Sequence, residues 1–192
     1  MSAPEEEFYS EERWQNWLDR LADEEIDPED EDSARLLLNL QDDVAIAVAK
    51  ILTEYEEGNL EQDEAMGELE DIREVVLAEP DFTDEDKLML LDGVQTSLVA
   101  VFYSSELFIA EGVIDDAPVD EYVQQAVAEE EQEEFDRALQ LIAFAGTRIV
   151  DGDELDMTVA EDIEYGLVTE WLNGLDSLQE ALADPEVIED DE

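Results

Sequence analysis

Apolar residues recur along most of this chain in alternating steps of three and four, the spacing of one face of an α-helix. The cleanest run is Leu91, Val94, Leu98, Val101, Ser105 and Phe108. Met89, Leu90, Val99, Phe102 and Ile109 widen that stripe, so a helix over 84–111 is expected to be central and the most buried. Before it, Trp14, Trp17, Leu18 and Leu21 mark a helix over 11–24, with Ser10 as its cap. Leu37, Gln41, Val44, Val48, Ile51 and Tyr55 mark a second over 33–57, stopped at Gly58. Met66, Leu69, Ile72, Val75 and Val76 mark a third over 61–79, closed by Pro80.

After Gly112 the pattern predicts a long helix over 119–150, acidic in its first half and apolar in its second. Thr158-Val159-Ala160-Glu161 reads as a capping box opening a last helix over 159–183, with Ile163, Leu167, Trp171, Leu175, Leu178 and Leu182 inward. No alternating strand pattern of useful length occurs. The expected fold is all-α, an antiparallel bundle of five to six helices over 10–184. Residues 1–9 form an acidic N-terminal arm and 185–192 an acidic C-terminal tail.

Charge changes the picture. The 192 residues carry 60 Asp and Glu against 8 Lys and Arg, a formal net charge of −52, with no His. Such a domain repels itself in dilute buffer. In about 1 M salt the Debye length falls to roughly 3 Å and surface carboxylates hardly sense one another. The acidity therefore predicts the surface of a halophile with a salt-rich cytosol.

The missing residue types exclude whole chemistries. Without Cys there is no disulfide, thiolate nucleophile or iron–sulfur cluster. Without His there is no Ser-His-Asp triad and no imidazole ligand. The basic residues are scattered, so direct nucleic-acid binding is not expected. The longest uncharged stretch, Gly93 to Ser105, has 13 residues. A spanning helix needs about 20, so no membrane span is expected. The residues after Met1 lack the basic and apolar regions of a signal peptide, which predicts a cytoplasmic protein.

Candidate sites are few. Residues 53–64 echo an EF-hand at Gly58, Leu60 and Glu64, but Thr53 and Tyr55 stand where the early oxygen ligands belong, so a helix–Gly–helix corner is expected instead. Asp151-Gly152-Asp153-Glu154 has no second ligand arm and reads as a loop. No catalytic, cofactor or metal residues are assigned. Glu106 interrupts the most apolar helix, and Arg148 in a comparable stretch is its expected partner in a buried ion pair. Trp14, Trp17, Phe102 and Phe108 are the candidate interaction surface, with burial in the bundle as the competing reading.

The stretches Glu11-Glu12-Arg13-Trp14-Gln15-Asn16-Trp17-Leu18-Asp19-Arg20-Leu21 and Leu36-Leu37-Leu38-Asn39-Leu40-Gln41-Asp42-Asp43-Val44-Ala45-Ile46-Ala47 resemble a haloarchaeal family classed as a domain of unknown function. The resemblance implies an archaeal, halophilic, cytosolic protein. It implies no activity, cofactor or catalytic residues.

Residues and resemblance together lead to a non-enzymatic helical adaptor or regulatory protein that engages an unidentified protein partner. The alternatives are a carboxylate enzyme using a divalent metal, and an acidic nucleic-acid mimic that decoys a basic partner. Helices with two apolar stripes also predict a homodimer through the fourth to sixth helices.

Overall fold

The computed structural model describes residues 9–27, 29–81 and 83–183. Nearly all of the expected N-terminal arm and C-terminal tail lies outside them. The described residues form eight helices and no strand: α1 (Glu11–Asp23), α2 (Glu31–Glu56), α3 (Gln62–Val76), α4 (Glu85–Glu111), α5 (Val119–Glu131), α6 (Phe135–Asp151), α7 (Thr158–Glu161) and α8 (Leu167–Ala183).

The first four helices fall close to where the periodicity puts them, with caps of simple chemistry. The Ser10 hydroxyl accepts from the Arg13 N–H at 3.1 Å. Asp30 caps α2 through the Asp32 N–H. Asp84 caps α4, accepting from the Asp86 and Lys87 N–H groups. Gly112 ends α4 at φ 82°, a conformation that favours glycine.

The expected fifth and sixth helices are each two helices, so the count rises to eight. The 119–150 pattern breaks at 132–134, where Glu133 adopts φ 62° and the Glu134 N–H returns to the Glu129 carbonyl. Like charges one turn apart in the run Glu129 to Glu134 weaken the helix there. No Gly or Pro announces the break. A left-handed residue with a Cβ costs about 1–2 kcal/mol. Glu133→Gly is therefore expected to raise stability by about 0.5–1 kcal/mol, seen as a higher melting temperature in multimolar KCl.

The second correction concerns Thr158, which does not open the long last helix. Its N–H and hydroxyl both go to Asp156, and α7 ends after one turn. The N-terminus of α8 is capped from another helix. One oxygen of the Glu130 carboxylate accepts from the Leu167 N–H at 3.0 Å and the other from the Val168 N–H at 3.2 Å. A negative group at this helix end also meets the positive end of the helix dipole.

As expected, α4 is central, packed on α2, α3, α6 and α8. By length and composition it is apolar enough to cross a membrane, which the count of uncharged residues did not anticipate. Half of that apolar window is buried inside the chain, as in the core helix of a bundle. Two apolar cores lie around α4 and α8. One joins α1, α2, α3 and α4 through residues such as Leu40, Leu52, Leu69, Leu98 and Phe102. The other joins α5, α6 and α8 through Val123, Ile142, Leu172 and Leu175. Gln41 crosses from α2 to α8, its amide donating to the Ser177 hydroxyl at 2.9 Å and the Asn173 carbonyl at 3.2 Å. The α6–α7 connection is pinned by Gln179, whose side-chain carbonyl accepts from the Leu155 N–H at 2.5 Å.

Candidate functional site

Much of the candidate interaction surface lies inside the bundle. Phe102 is 1% exposed, Trp14 4% and Phe108 8%. None of the three can meet a partner across a broad face without opening the bundle. Trp17 is half-buried, and its indole N–H donates to the Asp43 carboxylate at 2.9 Å. Within the chain, α6 and α8 both pack on α4, the helix through which a homodimer was expected.

The expected Glu106–Arg148 pair does not form. Glu106 accepts from Arg73 of α3 at 2.6 Å, and Arg148 donates to Asp153 at 2.7 Å across the Gly152 turn. Gly152 takes φ 116°, which folds the chain back so that a residue just beyond α6 reaches the side chain of its last turn.

A groove opens between α1 and α3, with a volume of about 670 Å³. Its apolar part comes from Trp14 and Leu18 of α1 and Ile72 and Val75 of α3, with Ala22, Ala78 and Pro80 towards one end. These positions follow from helix geometry: Trp14 and Leu18 are one turn apart on α1, and Ile72 and Val75 one turn apart on α3. Carboxylates surround it: Glu11 and Asp19 from α1, Glu68, Asp71 and Glu74 from α3, and Glu79 and Asp81 beyond. No Lys or Arg is among the lining residues. A shallower hollow of about 490 Å³ adjoins it, sharing Glu79 and Pro80 and bordered by Leu77, Leu88 and Met89. Met89 is 63% exposed.

The groove depends on how α1 is held. Asp43 of α2 is buried and accepts from the Arg13 Nε at 2.8 Å, from the Arg13 Nη2 and from the Trp17 indole. The Arg13 guanidinium also sits 5.7 Å from the centre of the Tyr9 ring, and that of Arg20 5.6 Å from the Trp17 ring. At the other end the Lys87 ammonium donates to the Ala22 carbonyl at 2.9 Å. Charge-assisted hydrogen bonds are worth about 1.5–3 kcal/mol, so Asp43→Ala is expected to cost about 2 kcal/mol. The loss should be local. Amide exchange in α1 should accelerate while α4 and α8 keep their protection.

A second group of carboxylates lies where α2 meets α8. Burial pushes the Asp42 carboxyl above its ordinary value, partly opposed by a hydrogen bond from Ser177. Its Oδ1 is buried without a hydrogen-bond partner. Asp176 is raised by burial and by the Asp42 charge, and Glu180 by burial and by both neighbours. Glu56 is raised by burial and by Asp151. Glu106 is raised by burial, against the pull of Arg73 and with a further push from Glu70. Among the described residues no group of three or more acidic side chains is arranged to hold a metal ion.

These five upward shifts carry a sign. Each native carboxyl keeps its proton to a higher pH than the unfolded chain does, so the native state binds more protons in that window. Stability therefore falls as pH rises through the raised values, and rises on acidification from neutral pH towards about pH 5. Thermal melts at constant high KCl should show a higher midpoint at about pH 5 than at pH 7. A midpoint that falls over that interval contradicts the account.

The described residues define an all-helical protein with an open groove between α1 and α3. By its sequence the chain belongs to the family described as an uncharacterized protein conserved in archaea, DUF2150, whose model matches residues 7–191. No curated protein and no solved structure matches the chain.

The sequence reading missed the groove and the α2–α8 carboxylates. The groove had a signal: Glu11, Gln15 and Asp19 run one turn apart along one flank of the Trp14–Leu18 stripe. Nothing in the sequence paired that flank with α3.

Proposed function

We propose that this protein is a non-enzymatic helical adaptor of a halophile's salt-rich cytosol, and that it receives a segment of a partner protein in the groove between α1 and α3. The observation that carries the reading is the groove itself: an open cleft between two helices, where Ala22, Val75, Ala78 and Pro80 leave apolar surface open above the buried core residues Trp14, Leu18 and Ile72. Apolar clefts between helices are a common seat for partner segments. The composition agrees, since a chain without His or Cys has few routes to nucleophilic or imidazole-based catalysis. High salt strengthens apolar association and screens the repulsion that 60 acids impose on an approaching protein.

The test uses the full chain as bait in a native lysate at about 2 M KCl. Ala78 is exposed and lines the groove, so Ala78→Arg fills the cleft without entering the core. The reading expects a partner that wild type retains, that rebinds as a purified protein, and that Ala78→Arg loses while keeping its helix content. A partner held equally by both proteins contradicts it.

A further inference from the structure

We infer that the groove selects a segment whose aliphatic anchor is flanked by arginine side chains. The inference rests on the adaptor reading and gives its site a ligand chemistry. The anchor follows from the floor: Val75, Ala78 and Pro80 leave apolar surface open above the buried Trp14 and Leu18, and a leucine-sized side chain entering there leaves water for contact with carbon.

The flanks follow from the rim. Glu11 and Asp19 stand on the α1 side, Asp71 and Glu74 on the α3 side, and no Lys or Arg lines the cleft. A neutral segment would cover these carboxylates without offering them a counter-charge, which costs free energy on docking. An acidic segment adds repulsion. A second copy of this chain, with 60 acids and 8 basic residues, is poorly suited for the same reason. Glu11 and Asp19 are eight residues apart, about 12 Å along α1, so a segment of roughly two helical turns spans the rim.

Salt decides between the two basic side chains. In multimolar KCl attraction at a distance is gone, because the Debye length is about 3 Å at 1 M. What survives is direct contact. A lysine ammonium is a strongly hydrated point charge. An arginine guanidinium is weakly hydrated, planar, and able to hold a carboxylate through two parallel hydrogen bonds. Arginine therefore gains more from the same rim in this solvent.

The experiment titrates the full chain at about 2 M KCl with synthetic peptides of about 12 residues that share one leucine pattern. The flanking positions carry Arg, Lys, Gln or Glu. Calorimetry reads affinity and stoichiometry. Asp71→Arg/Glu74→Arg reverses the α3 rim at two exposed positions, with circular dichroism confirming the fold. The Arg peptide is expected to saturate at one per chain. Binding should weaken at least about tenfold with Gln flanks and with the reversed rim, and measurably with Lys.

Equal binding of the Gln peptide overturns the selection for charge and leaves the adaptor reading standing. Equal binding of the Lys peptide overturns the selection for guanidinium. An Arg peptide that binds the reversed rim as tightly as wild type is adhering elsewhere, which also overturns the inference. Self-association of the chain that the reversed rim abolishes assigns the groove to a second copy and overturns it. Failure of every peptide overturns it as well, while the adaptor reading is judged separately by capture with Ala78→Arg.

Discussion

Gly174→Ala is expected to cost the bundle about 3 kcal/mol, the upper end of overpacking in a close-packed core. A Cβ at position 174 would lie 2.0 Å from the Ser97 carbonyl oxygen and 2.7 Å from its carbon. Both atoms belong to the backbone of α4, so no rotamer change relieves the clash. The two helices must separate, and Leu98, Leu175 and Leu178, all fully buried, lose contact when they do. Gly93→Ala in α4 is the control. There the nearest atom to the new Cβ is the Glu170 Oε1 at 3.7 Å, an ordinary contact. Alanine is favoured over glycine inside a helix by about 1 kcal/mol, so this variant should be neutral or more stable. Chemical denaturation in constant high KCl measures both. Equal midpoints for Gly174→Ala and wild type would mean that α4 and α8 do not cross at this distance.

Lowering KCl should remove most of the folded state. The chain carries a formal net charge of −52, and its few cations are spread among local contacts such as Arg13–Asp43, Arg20–Glu24, Arg73–Glu106 and Arg148–Asp153. An exposed pair such as Arg20–Glu24 is worth about 0–1 kcal/mol, and the few pairs with a buried carboxylate, at about 1.5–3 kcal/mol each, cannot offset the repulsion among 60 acids. At about 0.15 M salt the Debye length is near 8 Å, long enough for neighbouring carboxylates to act on one another. At 1 M it is about 3 Å. Repulsion and weakened apolar burial then act together as salt is withdrawn. Circular dichroism across a KCl series should show cooperative loss of helix below a few tenths molar, recovered on adding KCl back. A chain that keeps its full melting temperature in dilute buffer contradicts this.

The parts of the fold legible in the sequence are those with a strict period. The seam from Leu91 to Phe108 is buried along its whole length, because a helix packed on four others needs apolar residues at every inward step. Its widening was overread at Met89, which lies near the end of α4 and is exposed. The break at Glu133 was not legible, because a glutamate in the left-handed region has no sequence signature and neither Gly nor Pro stands nearby. The capping of α8 was hidden for a different reason. Its carboxylate, Glu130, comes from 37 residues earlier, while the local Thr158 motif pointed to the wrong turn.

Partner choice is the same problem in three dimensions. The sequence placed Glu106 on an apolar helix in need of a cation, and a cation is there. It comes from α3 because α3 packs beside α4 at that height, a fact no helical period contains. The groove was invisible for that reason too. Trp14 and Ile72 are each readable as core residues on their own helices, but the cleft exists only where those helices meet.

The central claim is that partners engage this protein between α1 and α3. Amide hydrogen exchange of the full chain in about 2 M KCl, with and without a captured and purified partner, tests it most directly. The account predicts slowed exchange in Glu11–Asp23, in Gln62–Val76 and through 77–81, with α5, α6 and α8 unchanged. Protection confined to α5, α6 and α8, with α1 and α3 exchanging as before, would contradict it.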